Sequence, residues 1–154
     1  MKKQIPLDIQ YAQDRTSGET DAPVATEGNA GTDLRAAMDW MLMPEETKLI
    51  VTSYKMIIPE GHVGLVCSRS GLALKNSVHV LNAPGIVDSS YRGCIGVILH
   101  NSSRKAFHIK KNDRIAQILF MKCEIPNFFQ VGGEEFEAST TDRGDGGFGS
   151  TGVK

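Results

Sequence analysis

Five runs of alternating or β-branched residues constrain this chain most: KLIVTSYKMII (48–58), HVGLVCSR (62–69), SVHVL (77–81), CIGVILHN (94–101) and DRIAQILFMKCEI (113–125). Period-two patterning of this kind turns one strand face to a core and the other to solvent. Between the runs stand Pro59-Glu60-Gly61, Ser70-Gly71, Asn82-Ala83-Pro84-Gly85 and Asn101-Ser102-Ser103, which are turn formers. No helical pattern of about 10–15 residues separates the runs, which argues against a parallel α/β sheet. The pattern predicts an all-β sandwich or barrel, with one short helix at most, over Leu72–Asn76.

A chain of 154 residues fits one domain that buries roughly two thirds of its unfolded surface. The stretch DRTSGETDAPVATEGN (14–29) is polar and rich in turn formers, which predicts an exposed loop. From Gly132 onward the chain has no period of 2 or 3.6, which predicts an arm that is flexible in an isolated subunit. The expected organisation is therefore a β domain over 1–131 and a glycine-rich arm of the same domain over 132–154.

Seventeen Lys and Arg against 18 Asp and Glu give a formal net charge of -1, which argues against a nucleic-acid partner but leaves room for local arginines to meet a small anion. No run approaches the ~18 apolar residues of a membrane span, and MKKQIPLDIQ lacks a signal peptide's apolar stretch. The expectation is a soluble protein of the cytoplasm, or of a host cell's cytoplasm, with no membrane partner. Cys67, Cys94 and Cys123 have neither disulfide nor zinc spacing and read as buried thiols. His62, His79, His100 and His108 are scattered and read as structural or surface residues.

Three segments carry candidate chemistry. TDRGDGGFGSTG (141–152) lacks the P-loop lysine and opens no helix, so neither the P-loop nor the dinucleotide reading fits. It is either a disordered glycine tail or a lid: Arg143 offers a donor fork for phosphate, and Phe148 a ring to close on a planar group. In SRSGLALKN (68–76), backbone N–H groups stand beside the Ser70 hydroxyl; Ser70 is either a helix cap or an anion contact, and Arg69 either a solvated charge or a phosphate ligand. No GxSxG surrounds Ser70 to make it a nucleophile. NAPGIVDSSYRG (82–93) is either a plain hairpin tip with Asp88 as its cap, or a hairpin receiving a small ring between its arms, walled by Asp88 and Tyr91. Asp33 in AGTDL suits a turn or substrate chemistry, Gln117 is polar on a strand otherwise able to bury and has an edge or subunit-contact alternative, and Asp113-Arg114 reads as an ion pair fixing a strand start.

Taken together, AGTDL (30–34), RSGLALKN (69–76), NAPGIVDSSYRG (82–93), NDRIAQILF (112–120) and RGDGGFGSTG (143–152) resemble the five ordered motifs of the trimeric dUTPases. The resemblance implies a jelly-roll-like distorted β-barrel, a homotrimer with active sites at subunit interfaces, and Mg2+-assisted hydrolysis of dUTP to dUMP and pyrophosphate. It gives Asp88 the role of activating the attacking water and Tyr91 that of packing under the deoxyribose. Asn82 and the backbone of Gly85, Ile86 and Val87 would read uracil. Asp33 would serve the metal indirectly through water, with Mg2+ held mainly by substrate phosphates. Arg69, Ser70 and Gly71 would meet phosphates, Gln117 the α-phosphate and water, Arg143 the γ-phosphate, and Phe148 with Gly149 and Ser150 would close over the nucleotide.

The related dCTP deaminases share this β architecture but use a catalytic glutamate, and a non-catalytic nucleotide-binding module is the other alternative. Three positions depart from the family pattern: Ser68 where proline is usual, Cys94 where an acidic or amide residue is common, and Asn112 where glycine is usual. The stretch Asp14 to Asp21 is also longer than a minimal relative needs, with no role assigned.

Overall fold

The computed structural model describes residues 7–14, 16, 19–142 and 144–145. They divide into two compact units, 1–124 and 125–154.

The first unit is a jelly-roll-like β fold in which every strand pair is antiparallel. Its strands are β1 (Gln10–Gln13), β2 (Thr32–Arg35), β3 (Trp40–Leu42), β4 (Thr47–Val51), β5 (Tyr54–Ile57), β6 (His62–Cys67), β7 (Val78–Val80), β8 (Gly85–Val87), β9 (Gly96–Asn101), β10 (Phe107–Ile109) and β11 (Arg114–Lys122). One sheet runs β2-β11-β6-β8 and another β4-β9-β7, with β1-β5 and β10-β3 as two-stranded ribbons. Alternation supplies the core: Val97, Leu99 and Asn101 of β9 face inward while Gly96, Ile98 and His100 lie half-exposed. Leu34, Ile50, Tyr54, Ile109 and Ile118 complete the buried interior.

Buried polar groups mark where the chain turns a corner. KLIVTSYKMII is not one strand but two, because Thr52 and Ser53 break it while fully buried. The Thr52 hydroxyl donates to the Ile95 carbonyl (2.8 Å) and accepts the Tyr54 N–H (3.2 Å), replacing ladder bonds with side-chain bonds. β4 then pairs with β9, and β5 with β1. A register shift in β11 between Arg114 and Ala116 buries Ile115 and Ala116 in succession and leaves Arg114 exposed, as a β-bulge does.

The predicted short helix forms as α1 (Ser70–Asn76) and ends on Ser77 at φ 53, whose N–H donates to Ala73 and Leu72 carbonyls. Ser70 does not cap it; the N-cap is Arg69, without a side-chain bond. The cysteines are not the buried thiols expected: Cys67 and Cys94 are half-buried and Cys123 is exposed, and none forms a disulfide. The described residues of the 14–29 stretch carry no strand and most are exposed, but Thr20 is buried.

In the second unit the described residues include one short helix, α2 (Gly133–Glu137), which the sequence reading missed, and Ile125, Phe128, Phe129 and Phe136 are exposed. Among the described residues no helix is long and apolar enough to cross a membrane.

Candidate active site

The segment 82–96 crosses from one sheet to the other. β8 pairs with β6, whereas β9 pairs with β4 and β7, so the two arms on either side of Asp88 are not hydrogen-bonded as a hairpin. The expected hairpin is thus corrected: its arms splay into different sheets, and the gap between them is a pocket of about 270 Å3. Asn82, Gly85, Ile86, Val87, Asp88 and Tyr91 line one side, and Leu49, Val51, Gly96 and Ile98 line the opposite wall. The wall residues escaped the sequence reading, although the alternation of β9 already separates Gly96 and Ile98 from the core. A mostly apolar slot with a few convergent polar groups suits a planar ligand.

Within this slot the loop is self-braced. The Tyr91 N–H donates to the Asp88 carbonyl (3.1 Å), and Arg92 donates to the carbonyls of Ser89 (2.6 Å) and Tyr91 (2.8 Å). The Asp88 backbone, not its carboxylate, therefore closes the turn. Among the described residues that carboxylate has no hydrogen-bond or ion-pair partner, and Asp88 is exposed. The Tyr91 hydroxyl donates to the Cys94 carbonyl at 3.0 Å. A Cβ at Gly85 would stand 3.1 Å from the Asn82 amide nitrogen, so glycine lets that side chain lie against the strand.

A second pocket, about 480 Å3 and polar, gathers Asp33, Arg69, Ser70, Gly71 and Gln117 with Gly28, Asn29 and Gly31. Asp33 on β2 and Gln117 on β11 are cross-strand partners. Asp33 holds Arg69 through Nε–Oδ1 at 2.9 Å and Arg114 through Nη1–Oδ2 at 3.6 Å. Arg69 also donates to the Arg114 carbonyl at 3.0 Å. The expected Asp113–Arg114 pair does not form: the bulge turns Arg114 toward Asp33, and Asp113 accepts the Lys110 N–H instead. β11 lies between β2 and β6, which removes the edge-strand reading of Gln117. Its Nε2 donates to the Ser68 carbonyl at 2.9 Å.

The predicted residues thus fall into two groups, one around Asp88 and Tyr91 and one around Arg69 and Gln117, whose pockets share no lining residue. Arg143, Phe148, Gly149 and Ser150 lie outside the described residues. Ser68 and Asn112 fit their places: the Ser68 hydroxyl accepts the Val80 N–H at 2.9 Å, and Asn112 takes φ 71, a conformation asparagine tolerates.

Comparison with known proteins supports the chemistry these pockets point to. The dUTPase family model matches residues 19–152. A deoxyuridine 5'-triphosphate nucleotidohydrolase of Wolbachia pipientis is 48% identical over 130 residues, covering 83% of this chain and 84% of that protein. One from Caulobacter vibrioides is 44% identical over 156 residues, covering 97% and 98%. Among solved structures, a Staphylococcus bacteriophage 80alpha dUTPase with dUPNHPP superposes with a TM-score of 0.84 at 29% identity, covering 95% of this chain and 99% of the other. With the family match spanning β2 to β11, both pockets and the glycine-rich end, the chain belongs to the dUTPase family, enzymes that hydrolyse deoxyuridine 5'-triphosphate.

Proposed function

We propose that the enzyme cleaves dUTP to dUMP and pyrophosphate by attack of a water held by Asp88 on the α-phosphorus. The observation that carries this reading is the Asp88 carboxylate, unpartnered among the described residues, beside Tyr91 in a mostly apolar slot. A carboxylate not used by the fold can accept a water's proton as it attacks. Uracil enters between the splayed arms, where Asn82 and the backbone of Gly85, Ile86 and Val87 read its edge and exclude the thymine methyl. Tyr91 packs under the deoxyribose and leaves no room for a ribose 2'-hydroxyl. Hydrolysis at phosphorus needs alignment and charge stabilisation more than a covalent nucleophile.

The phosphates go to the polar pocket, where Arg69, Ser70, Gly71 and Gln117 meet them. Asp88 and Arg69 line separate pockets of one chain, and in the homotrimer that the family resemblance implies a neighbouring copy brings the two halves together. Exposed apolar residues at the rim, Ile86 at 61% and Leu49 at 55%, are consistent with that contact. Arg143 holds the γ-phosphate and Phe148, with Gly149 and Ser150, covers the base. The soluble nucleotide substrate puts this work with the intracellular deoxynucleotide pool.

Among the described residues no group of three or more His, Cys, Asp or Glu is arranged to hold a metal, and both Asp33 oxygens face arginines. These donors fit Mg2+ only if it is bound through substrate phosphates, with Asp33 reached through water, which matches the ion's habit of keeping several waters. When bound it supplies neutralisation of phosphate charge. A dCTP deaminase is not favoured, because the pocket carboxylate is Asp88 and not a glutamate.

The test is a nucleotide panel with Mg2+. Pyrophosphate should be released from dUTP far faster than from dTTP, dCTP or UTP, and Asp88→Asn should cut turnover strongly while sparing binding of a non-hydrolysable analogue. Equal rates across the panel, or unchanged turnover in the variant, would reject the reading.

A further inference from the structure

The stretch from Asp14 to Asp21 is fastened to the body at both ends. The Asp14 N–H donates to the Ser53 carbonyl at 2.8 Å. Its carboxylate accepts from the Thr16 N–H and hydroxyl, from the Cys94 thiol at 3.2 Å, and pairs with Lys55 at 3.2 Å. Gln13 donates to the Thr20 carbonyl, the Thr20 and Ser53 hydroxyls bond at 2.6 Å, and the Tyr54 hydroxyl donates to the Asp21 carbonyl at 2.6 Å. The Asp21 N–H donates to Asn112 Oδ1 at 3.0 Å. Two of the three departures from the family pattern, Cys94 and Asn112, are therefore among the side chains that grip this strap.

Cys94 has a second role. It lines the apolar slot, and its carbonyl receives the Tyr91 hydroxyl. One line of hydrogen bonds thus runs from the strap through Cys94 to the ring at the slot's rim. The line is braced from beneath, because the Ile95 N–H donates to the Tyr54 carbonyl (2.9 Å) and the Thr52 N–H to the Ile95 carbonyl (3.0 Å). A thiol held by a carboxylate fixes the backbone on which the Tyr91 hydroxyl rests, and a ring held in place discriminates between sugars that differ by one hydroxyl.

We propose that Asp14 is a positioning residue for sugar selectivity, setting the Tyr91 ring through Cys94. This rests on the reading that Tyr91 packs under the deoxyribose. The competing account is that Asp14 and Lys55 form a half-buried ion pair of small structural value; that account allows a change in thermal stability but none in selectivity.

The experiment measures kcat/KM for dUTP and for UTP with the full-length enzyme carrying Asp14→Ala, Cys94→Ala, Cys94→Ser, the Asp14→Ala/Cys94→Ala double change, or Tyr91→Ala, alongside thermal unfolding. Asp14→Ala and Cys94→Ala should each narrow the dUTP:UTP ratio by about tenfold, mainly through KM. The double variant should be no worse than either, because both break one line of contacts. Cys94→Ser, which keeps a donor for Asp14, should lose less than Cys94→Ala. An unchanged ratio in Asp14→Ala, with or without a lower melting temperature, overturns the proposal while a lost ratio in Tyr91→Ala leaves the sugar-packing reading standing. A retained ratio in Tyr91→Ala overturns both.

Discussion

Gly93 seats the Tyr91 ring: a Cβ at position 93 would come within 2.7 Å of the phenolic carbon that bears the hydroxyl. Real side-chain carbons do not approach that closely, so Gly93→Ala must push the ring off the Cys94 carbonyl it now bonds. We expect KM for dUTP to rise about tenfold and discrimination against UTP to narrow, with kcat falling less. Steady-state kinetics on both nucleotides, with circular dichroism to show an intact fold, checks this; wild-type kinetics in Gly93→Ala would contradict it.

Asp33 orients two arginines at once. Holding the Arg69 fork in place beforehand removes an ordering cost when phosphate binds. Asp33→Asn should weaken binding of a non-hydrolysable dUTP analogue by about tenfold, measured by calorimetry. Because Asp33 is 36% exposed, stability should drop by no more than about 1 kcal/mol.

Asn101 is fully buried on β9, and its amide donates to the carbonyls of Leu42 (3.0 Å) and Lys105 (2.9 Å) while its oxygen accepts the N–H and hydroxyl of Ser103. Asn101→Leu keeps the branched outline but overfills the site and strands several backbone partners, a loss of about 3 kcal/mol. The midpoint of thermal unfolding should fall by roughly 6–12 °C, with selectivity unchanged at low temperature.

The strap contact should ignore pH across the neutral range. Hydrogen bonds from Thr16 first, then Cys94 and Lys55, hold the Asp14 carboxyl well below the usual carboxylate range. A carboxylate lowered in the folded state contributes above its unfolded value, about 3.9, and its contribution is lost only as pH falls through the folded one. Asp14 in turn raises Lys55, whose contribution is present below its unfolded value, about 10.4, and is lost as pH rises through the folded one. The dUTP:UTP ratio should therefore show no step from this pair between about pH 5 and pH 7, a window below the ordinary thiol range of about 8.5 in which the Cys94 donor itself would be lost. A step in that window that vanishes in Asp14→Ala would refute the assignment.

Much of this was legible in the chain, and the failures have physical causes. The alternation of CIGVILHN gives β9 and its inward face directly. KLIVTSYKMII misleads because Thr52, Ser53 and Tyr54 suit a strand as well as a corner, and only the distant Ile95 carbonyl decides. Strands of three residues, such as β3, β8 and β10, are too short to show a period. The splaying of the arms around Asp88 depends on which strands β8 and β9 choose, a non-local matter. Likewise, Arg114 finds Asp33 across the sheet and not its neighbour Asp113. The polar and aromatic residues of each pocket, Asn82, Asp88 and Tyr91 in one and Asp33, Arg69 and Gln117 in the other, were named by resemblance to family motifs; the apolar wall of Leu49, Val51 and Ile98 and the division between two pockets were not.

That division has a genetic consequence. In the proposed assembly, a chain with Arg69→Ala still offers an intact Asp88 side, and one with Asp88→Asn an intact Arg69 side. Two alleles, each inactive alone, should complement when their products are unfolded and refolded together, because some mixed interfaces pair one healthy half with the other.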